Sequence, residues 1–251
     1  MPFVNELSGK TVLVTGGARR LGKAVALAAA QAGAQVVLTY QTSADQAQQT
    51  LAEIHNGGGK GLAVACDTRM EESVIGAISA ALTTFRRLDI VINNAGVYAT
   101  ARFEDISVEQ WDDVFATNVR GVFLVSKHSV PALRESRGRI INLGSLGGFK
   151  AWATHAHYCS SKAALHMLTQ VMANALAPEI AVNCVAPGMI DIASDAGPSG
   201  RDNVFFDRMA KKTPVRRNGA PEDIVNAVMY FATASQFITG QILVVDGGLG
   251  L

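Results

Sequence analysis

Short apolar runs recur along the chain and are separated by longer stretches of mixed polarity. The runs are rich in valine, isoleucine and leucine and are too short for buried helices, so they are typical of strands in a parallel sheet. Seven strands are predicted in this way, at residues 11–14, 35–39, 61–65, 90–92, 140–143, 181–185 and 242–245.

The stretches between the strands have the spacing of amphipathic helices. Leu165, Leu168, Met172 and Leu176 give the longest example, because these intervals place all four side chains on one helical face. Other helices are predicted at residues 20–31, 44–55, 71–85, 108–115 and 119–135. This alternation predicts an α/β fold with a doubly wound parallel sheet and helices on both faces. We expect residues 1–251 to form one domain whose functional site lies at the carboxyl ends of the strands.

Composition narrows the classes of function. The chain has 49% hydrophobic residues and a net charge of only +1, so it offers no broad basic surface to nucleic acid or an anionic membrane, and a small-molecule partner is favoured. Its three cysteines are widely spaced, as in a cytoplasmic protein with reduced thiols. Without a leader pattern or a long apolar run, we expect neither export nor a membrane span. His155 and His157 lack an acidic partner, so no metal site is assigned.

A glycine-rich turn joins the first strand to the first helix at residues 15–22. Gly16 would form the tight turn, and Gly22 would let the helix pack closely on the strand. The N-terminus of the helix would then bind the pyrophosphate of a dinucleotide. Such glycines also occur in loops for geometry alone, and that alternative stays open.

The residues after the second strand indicate which dinucleotide binds. NAD sites usually place a carboxylate there for the ribose hydroxyls, but residues 39–43 contain none. Arg19 and Arg20 in the glycine-rich turn offer planar donors suited to a phosphate. We therefore predict NADP (NADPH) as the cofactor, although either arginine alone would also be explained as a solvated side chain.

Ser145, Tyr158 and Lys162 form the candidate chemical centre. Tyr158 and Lys162 lie one turn apart at the start of a helix, so their side chains share a face. A neighbouring cation stabilises a phenolate, and we expect Lys162 to lower the pKa of Tyr158 toward neutrality. Ser145 follows a strand and is placed to bind the same substrate oxygen. A tyrosine and a lysine at this spacing are also common on ordinary helix faces.

Taken together, these motifs resemble the short-chain dehydrogenase/reductase family over nearly the whole chain. The matching segments are residues 15–22, Asn93-Asn94-Ala95-Gly96, Asn118, Ser145, Tyr158 with Lys162, Pro187-Gly188 and residues 238–248. The resemblance implies a Rossmann fold, oxidoreductase activity and assembly as a homotetramer, or as a homodimer.

The resemblance also implies a role for each position. Tyr158 would donate a proton to the carbonyl oxygen as hydride arrives from the nicotinamide, while Ser145 would orient that carbonyl. Lys162 would hold the nicotinamide ribose, and Asn118 would anchor a water molecule in a proton relay. The residues expected to bind the cofactor are Gly16, Arg19, Arg20, Leu21, Tyr40, Gln41, Thr42, Asp67, Thr68, Asn94, Ala95, Gly96, Tyr158, Lys162, Pro187, Gly188 and Ile190.

Two positions depart from the family pattern. Arg20 replaces its middle glycine, and Ile192 replaces a threonine that often holds the carboxamide. The first departure resembles the pteridine reductases, which also place an aromatic ring at the position of Tyr98. That subgroup has an aspartate where this chain has Ser145, and a serine hydroxyl suits a plain carbonyl better than a pterin ring. We therefore favour reduction of a ketone or 3-oxoacyl group to a secondary alcohol.

The substrate side of the site is less well defined. Residues 189–213 are irregular and are predicted to form a lid over the substrate. The candidate substrate-binding residues are Ser145, Tyr98, Trp152 and His155, with Phe205 or Phe206 as further pocket walls. Simple packing is the alternative for each aromatic residue. Three functions stay open: an NADPH-dependent carbonyl reductase, a pteridine reductase, and a non-catalytic dinucleotide-binding sensor or scaffold.

Overall fold

A seven-stranded parallel sheet organises the fold. In the computed structural model, which describes residues 5–192 and 203–251, the strands are β1 (Thr11–Val14), β2 (Gln35–Tyr40), β3 (Lys60–Ala65), β4 (Ile90–Asn93), β5 (Arg139–Leu143), β6 (Ala181–Pro187) and β7 (Ile242–Val245). They lie in the order β3-β2-β1-β4-β5-β6-β7, and each neighbouring pair is parallel. The winding direction reverses between β1 and β4, so a crevice opens there beyond the carboxyl ends of the strands.

Helices cover both faces of the sheet. They are α1 (Arg20–Gln31), α2 (Ala44–Asn56), α3 (Glu71–Phe85), α4 (Val108–Phe115), α5 (Val122–Ser136), α6 (Ala156–Leu176), α7 (Asn203–Lys212) and α8 (Pro221–Thr233). Val12 and Val14 of β1 belong to a core shared with α1 and α8, whereas Leu13 belongs to the core beneath α3, α5 and α6. Because alternate side chains of a strand point to opposite faces, both faces are buried, which explains the near-continuous apolar runs.

The predicted fold class is confirmed, and each of the seven predicted strands is present with ends within two residues of the prediction. One predicted helix, at residues 119–135, begins later, at Val122. It is preceded by a π-helical turn over Ala116–Gly121, a widened turn that commonly marks functional sites. The side chain of Asn118 in this turn bonds to the backbone of Val97, which holds the turn against the β4 loop.

Two helices are missing from the sequence prediction. α7 lies within the segment predicted as an irregular lid, so residues 203–212 are helical rather than irregular, while residues 193–202 lie outside the described part of the chain. The lid itself stays a prediction. α8 begins with Pro221, and the Asp223 carboxylate accepts a hydrogen bond from the backbone N–H of Ala220 at 2.7 Å. A proline and an acidic residue in the first turn are ordinary helix start signals, and they were available in the sequence.

Other sequence expectations concern membranes, metals and thiols. Among the described residues, no helix combines the length and apolar character needed to cross a bilayer. Within residues 5–192 and 203–251, no group of three or more potential ligands is arranged to hold a metal ion. Cys66 and Cys184 are buried, Cys159 is partly buried, and all three thiols are free.

Candidate active site

The glycine-rich turn after β1 has the tight geometry that its sequence predicts. Gly16 adopts a φ of +61°, a left-handed conformation that favours glycine. A Cβ at Gly22 would lie 2.2 Å from the carbonyl oxygen of Gly16, so only glycine fits there. Arg20, which replaces the family's middle glycine, also has a positive φ of 51°. The turn therefore retains its left-handed backbone at Arg20 despite the substitution.

Hydrogen bonds join this turn to the loop after β4. The Asn94 side chain donates through Nδ2 to the carbonyl oxygens of Thr15, at 2.9 Å, and Gly16, at 3.1 Å. In return, Thr15 Oγ1 accepts from the backbone N–H groups of Asn94, at 3.0 Å, and Ala95, at 2.9 Å. The two loops at the winding reversal are thus held together as one rigid wall.

A cavity of about 430 Å³ lies beyond the ends of β1 to β4, and the N-terminus of α1 contributes to its wall. Twelve predicted cofactor-binding residues line it: Gly16, Arg19, Arg20, Leu21, Tyr40, Gln41, Thr42, Asp67, Thr68, Asn94, Ala95 and Gly96. Gly16, Gly22 and the first turn of α1 line this cavity, and the N–H groups of a helix N-terminus fit a pyrophosphate. The residues present therefore suit a dinucleotide.

Arg69 lines the same cavity and was not predicted from the sequence. Its guanidinium bonds to Asp67 Oδ2 at 2.7 Å and to Asp113 Oδ1 at 2.6 Å, and Gln41 Nε2 donates to the same Asp67 oxygen at 2.9 Å. The hydrogen bond with Arg69 is the main reason that the pKa of Asp67 is lowered. Because Arg69 connects the end of β3 to α4 over a long distance in sequence, no local pattern marked it.

The charge of the cavity differs between its parts. Its lining carboxylates, among the described residues, are Asp67 and Asp113, and both bond to Arg69. The end of β2 contributes only neutral side chains, from Tyr40 to Ser43. The position where a carboxylate would bind ribose hydroxyls therefore carries none.

Helix α6 brings Tyr158 and Lys162 together near this cavity. Lys162 Nζ lies 5.8 Å from the centre of the Tyr158 ring and donates a hydrogen bond to the carbonyl oxygen of Leu143 at 2.7 Å. Lys162 is buried, and its burial lowers its pKa to about 8. These two side chains share one environment, as their spacing predicts.

The expected effect on Tyr158 is wrong in this structure. Burial raises the pKa of Tyr158 to about 12 and outweighs the lowering effect of its hydrogen bond with Ser145. The Lys162 ammonium bonds to the Leu143 carbonyl oxygen, and desolvation of the phenolate is the larger effect. The sequence showed the neighbouring cation but not how deeply the phenol is buried.

Ser145 is fixed from two sides. Its Oγ accepts from the backbone N–H of Gly147 at 3.0 Å, and its own backbone N–H donates to His166 Nε2 at 3.4 Å. The imidazole occupies space left by Gly144 and Gly148, where a Cβ would lie 2.5 Å and 2.3 Å from the ring, respectively. His166 was not identified from the sequence, because it resembles any other residue on the buried face of α6.

Asn118 connects the chemical centre to the cavity. It donates through Nδ2 to the Val97 carbonyl oxygen and to Ser161 Oγ, both at 3.0 Å, and its Oδ1 accepts from the Val97 N–H at 2.9 Å. A Cβ at Gly96 would lie 3.1 Å from Asn118 Oδ1 and 3.8 Å from Lys162 Nζ. Gly96, which lines the cavity, therefore borders the chemical centre as well.

The predicted substrate residues form an aromatic cluster beside Tyr158. The Tyr98 ring lies edge-on to the Tyr158 ring with centroids 5.0 Å apart. Its hydroxyl bonds to His155 Nε2 at 2.5 Å, and the His155 ring lies 5.3 Å from that of Trp152. A Cβ at Gly147, two residues after Ser145, would lie 3.1 Å from the Trp152 ring, so Trp152 packs close to this loop. The structure thus places Tyr98, His155 and Trp152 in one cluster next to Tyr158, while Ser145 bonds to Tyr158 itself.

The loop after β6 is less closely associated with the cavity. Among the described residues of this loop, Ile192 lines the cavity. The lining does not include Pro187, Gly188 or Ile190. The backbone N–H of Gly188 donates to the Val245 carbonyl oxygen at 2.9 Å. A role for Pro187, Gly188 and Ile190 in binding the nicotinamide stays a prediction.

The chain is similar to known proteins over nearly its whole length. Residues 16–250 match the protein-family model described as Enoyl-(Acyl carrier protein) reductase. The 3-oxoacyl-[acyl-carrier-protein] reductase of Synechocystis sp. is 36% identical over 250 residues, which cover 98% of this chain and 99% of the relative.

Solved structures agree with this similarity. A short-chain dehydrogenase/reductase from Serratia marcescens BCRC 10948 superposes with a TM-score of 0.91 at 35% identity and covers 98% of this chain and 100% of that one. A 7α-hydroxysteroid dehydrogenase in complex with NADH and 7-oxo glycochenodeoxycholic acid has a TM-score of 0.91 at 32% identity, with coverage of 99% and 97%. The fold and the sequence therefore point to the same relatives.

Proposed function

Because the chain belongs to the short-chain dehydrogenase/reductase family, we propose that this oxidoreductase uses NADPH to reduce a ketone or 3-oxoacyl group to a secondary alcohol. Members of this family bind a nicotinamide dinucleotide, and the relatives' names describe a 3-oxoacyl reductase and a hydroxysteroid dehydrogenase. One observation carries the proposal: Ser145 and Lys162 both contact Tyr158, and Lys162 also borders Gly96, which lines the dinucleotide cavity.

Tyr158 is the proposed proton donor. NADPH held in the cavity would supply hydride to the carbonyl carbon and leave as NADP⁺, and the carbonyl oxygen would take up one proton from Tyr158. Because the pKa of Tyr158 is raised to about 12, its phenol holds that proton at neutral pH and can donate it through Oη. The Ser145 hydroxyl lies within hydrogen-bonding reach of Tyr158 and would orient the same oxygen.

Lys162 and Asn118 support this proton transfer. The positive charge of Lys162 near the Tyr158 ring stabilises the phenolate left after donation. Burial lowers the pKa of Lys162 to about 8, so the ammonium can exchange a proton close to neutral pH. Asn118 holds the π-helical turn against Val97 and would position a water molecule for the return of that proton.

The preference for NADPH rests on the charge at the end of β2. A site built for the free ribose hydroxyls of NADH usually has a carboxylate there, and the lining of this cavity at β2 is neutral. Arg19 and Arg20 line the same cavity and supply guanidinium groups suited to a 2′-phosphate. The steroid dehydrogenase relative was solved with NADH, so a direct comparison of the two cofactors is the appropriate test.

A pteridine reductase is the second candidate. The exposed Tyr98 ring beside Tyr158 would suit stacking on a flat heterocycle, and the turn reads Arg20-Leu21-Gly22. Ser145 favours the first candidate, because a hydroxyl has no carboxyl proton to exchange with a pterin ring. Absorbance of NADPH with a panel of ketones, a 3-oxoacyl thioester and dihydrobiopterin distinguishes the two. Turnover of pterin alone would overturn the ketone assignment, and turnover of none would favour a non-catalytic sensor or scaffold.

We further propose that residues 1–251 act as one domain in a cytoplasmic homotetramer or homodimer. Large apolar side chains are exposed on α5, at Phe123, and on α6, at Met167 and Val171. Leu243 and Val244 of the edge strand β7 are also partly exposed. Burial of such side chains against a second copy would be favourable. Light scattering of the purified protein gives the assembly state, and a monomer would contradict this proposal.

A further inference from the structure

The mouth of the site contains a polar pair that the proposed reaction does not use. Tyr98 Oη and His155 Nε2 lie 2.5 Å apart, next to Tyr158 but separate from Ser145 and Lys162. The backbone holds the pair in place, because the N–H of Ala101 donates to the carbonyl oxygen of Thr154 at 2.9 Å. This contact joins the loop that carries Tyr98 to the loop that carries His155.

We propose that Tyr98 and His155 bind a second oxygen atom of the substrate, so that the preferred substrates are diketones and hydroxyketones rather than simple ketones. This inference rests on the proposed carbonyl reduction and specifies its substrate class. The reacting oxygen binds Tyr158 and Ser145, and the Tyr98 ring lies 5.0 Å from that of Tyr158. A second oxygen close to the reacting carbonyl would therefore reach the Tyr98 hydroxyl.

The pair is able to bind either type of oxygen. His155 Nδ1 lies 3.0 Å from Thr154 Oγ1, so both ring nitrogens have partners. If Thr154 donates to Nδ1, Nε2 carries the proton and donates to Tyr98, whose O–H is left to donate to a carbonyl. In the other tautomer Tyr98 donates to Nε2, and its oxygen accepts from a substrate hydroxyl. A change of the His155 tautomer, with rotation of the Tyr98 and Thr154 hydroxyls, thus adapts the site to a ketone or an alcohol.

The pair is also electrically neutral. Partial burial and the neighbouring His157 lower the pKa of His155, while partial desolvation of the otherwise exposed Tyr98 and the neighbouring Cys159 raise the pKa of Tyr98. Neither group is therefore charged near neutral pH. A neutral pair selects an uncharged oxygen, because a carboxylate or phosphate at this position would lose hydration without gaining a cation. Trp152, edge-on to His155, adds an apolar surface beside the pair.

Diacetyl and butanone provide the matched probes, since diacetyl has a second carbonyl oxygen where butanone has two hydrogen atoms. We would measure kcat/KM for each with NADPH in the unmodified protein, in Tyr98→Phe and in Tyr230→Phe. The last variant removes the same hydroxyl from a partly exposed tyrosine on α8 and serves as the control. The difference in intrinsic reactivity between the two ketones is constant, so a changed ratio reports on the protein.

In Tyr98→Phe we expect the ratio of kcat/KM for diacetyl over butanone to fall by about tenfold, the loss that corresponds to one hydrogen bond. His155→Phe keeps an aromatic ring beside Trp152 and should lower the ratio as well, and His155 makes no side-chain hydrogen bond that caps α6. Tyr230→Phe should keep the original ratio. An unchanged ratio in both Tyr98→Phe and His155→Phe would overturn this inference while leaving carbonyl reduction intact. Failure of the unmodified protein to reduce diacetyl would also overturn this inference, whereas carbonyl reduction itself would be overturned only if the 3-oxoacyl thioester were not reduced either.

Discussion

Lys162 Nζ lies over the ring of Tyr158, 5.8 Å from its centre, and bonds to the carbonyl oxygen of Leu143 at 2.7 Å. The strand that ends with Leu143 thus fixes the cation, and one turn of α6 fixes its distance from the phenol. Burial acts on the two groups in opposite directions, because it raises the pKa of Tyr158 and lowers that of Lys162. Both shifts favour the neutral forms of the side chains in the folded protein.

Lys162 gives the stability of the protein a specific pH dependence. Its pKa falls from an ordinary value of 10.5 to about 8 on folding. Between these values the unfolded chain binds more protons than the folded one, so the free energy of unfolding rises with pH. We expect Lys162 to contribute an increase of roughly 1 kcal/mol between pH 8 and pH 9 in protein without dinucleotide, seen as the difference between the unmodified protein and Lys162→Met. Urea denaturation measures it.

Other ionisable groups set an upper pH limit for this measurement. The buried thiols Cys66 and Cys184 have ordinary pKa values of 9.0 that are raised on folding, and Tyr158 follows at 10.0. These groups reduce stability as pH rises above those values, which is the opposite sign. Lys162→Met should abolish the increase between about pH 8 and pH 9. An equal increase in Lys162→Met would show that another group causes it.

A substitution at Gly22 tests whether the tight glycine-rich turn is needed for stability and dinucleotide binding. A Cβ at this position would lie 2.2 Å from the Gly16 carbonyl oxygen, so Gly22→Ala must move the turn. We expect it to lower the free energy of unfolding by roughly 2 kcal/mol or more and to weaken NADPH binding. Gly76→Ala is the matched control, because a Cβ on that exposed residue of α3 meets nothing within 4 Å. Gly76→Ala should stabilise the protein by about 0.5–1 kcal/mol, and similar behaviour of the two variants would contradict the account.

Arg19 and Arg20 test the choice of cofactor. We expect the double variant Arg19→Gln with Arg20→Gln to weaken NADPH by about tenfold or more and NADH by much less, because only NADPH carries the 2′-phosphate. Fluorescence titration gives both dissociation constants. Arg134→Gln removes a charge from the exposed end of α5 and controls for net charge. Equal losses for the two dinucleotides in the double variant would argue against the phosphate assignment.

A substitution at Arg69 tests how the opposite end of the same cavity contributes to dinucleotide binding. Arg69→Met removes the bonds that hold Asp67 and Asp113 together, so two carboxylates would be left without their cation. We expect NADPH and NADH to weaken by a similar factor of about five, since the adenine half is common to both. Arg69→Lys should retain part of the affinity. A loss confined to NADPH would instead assign Arg69 to the 2′-phosphate.

Much of the fold was predictable because the central strands are buried on both faces. Each such strand is a short apolar run, and the helices between them carry regular apolar faces. The later start of α5 was not predictable in this way, because the π-helical turn depends on the contacts of Asn118 with Val97, which is distant in sequence. α8 was missed although Pro221 and Asp223 marked its start.

The same distinction between local pattern and distant contacts applies to the site residues. Residues that follow a strand, such as Gly16 and Gly96, could be found from sequence because the carboxyl ends of parallel strands meet. Arg69 and His166 could not, since their significance depends on partners from other elements. The predicted direction of the Tyr158 pKa shift was wrong for the same reason, because the burial that raises this pKa is a property of the folded chain.

Transfer of a proton from Tyr158 to a ketone is the central claim, and the rate of NADPH oxidation by Tyr158→Phe tests it most directly. The variant keeps the ring that packs against Tyr98 and loses only the hydroxyl. We expect kcat to fall by roughly 10²–10⁴ while the dissociation constant of NADPH changes by less than about threefold. Undiminished oxidation of NADPH with a ketone substrate would contradict the account.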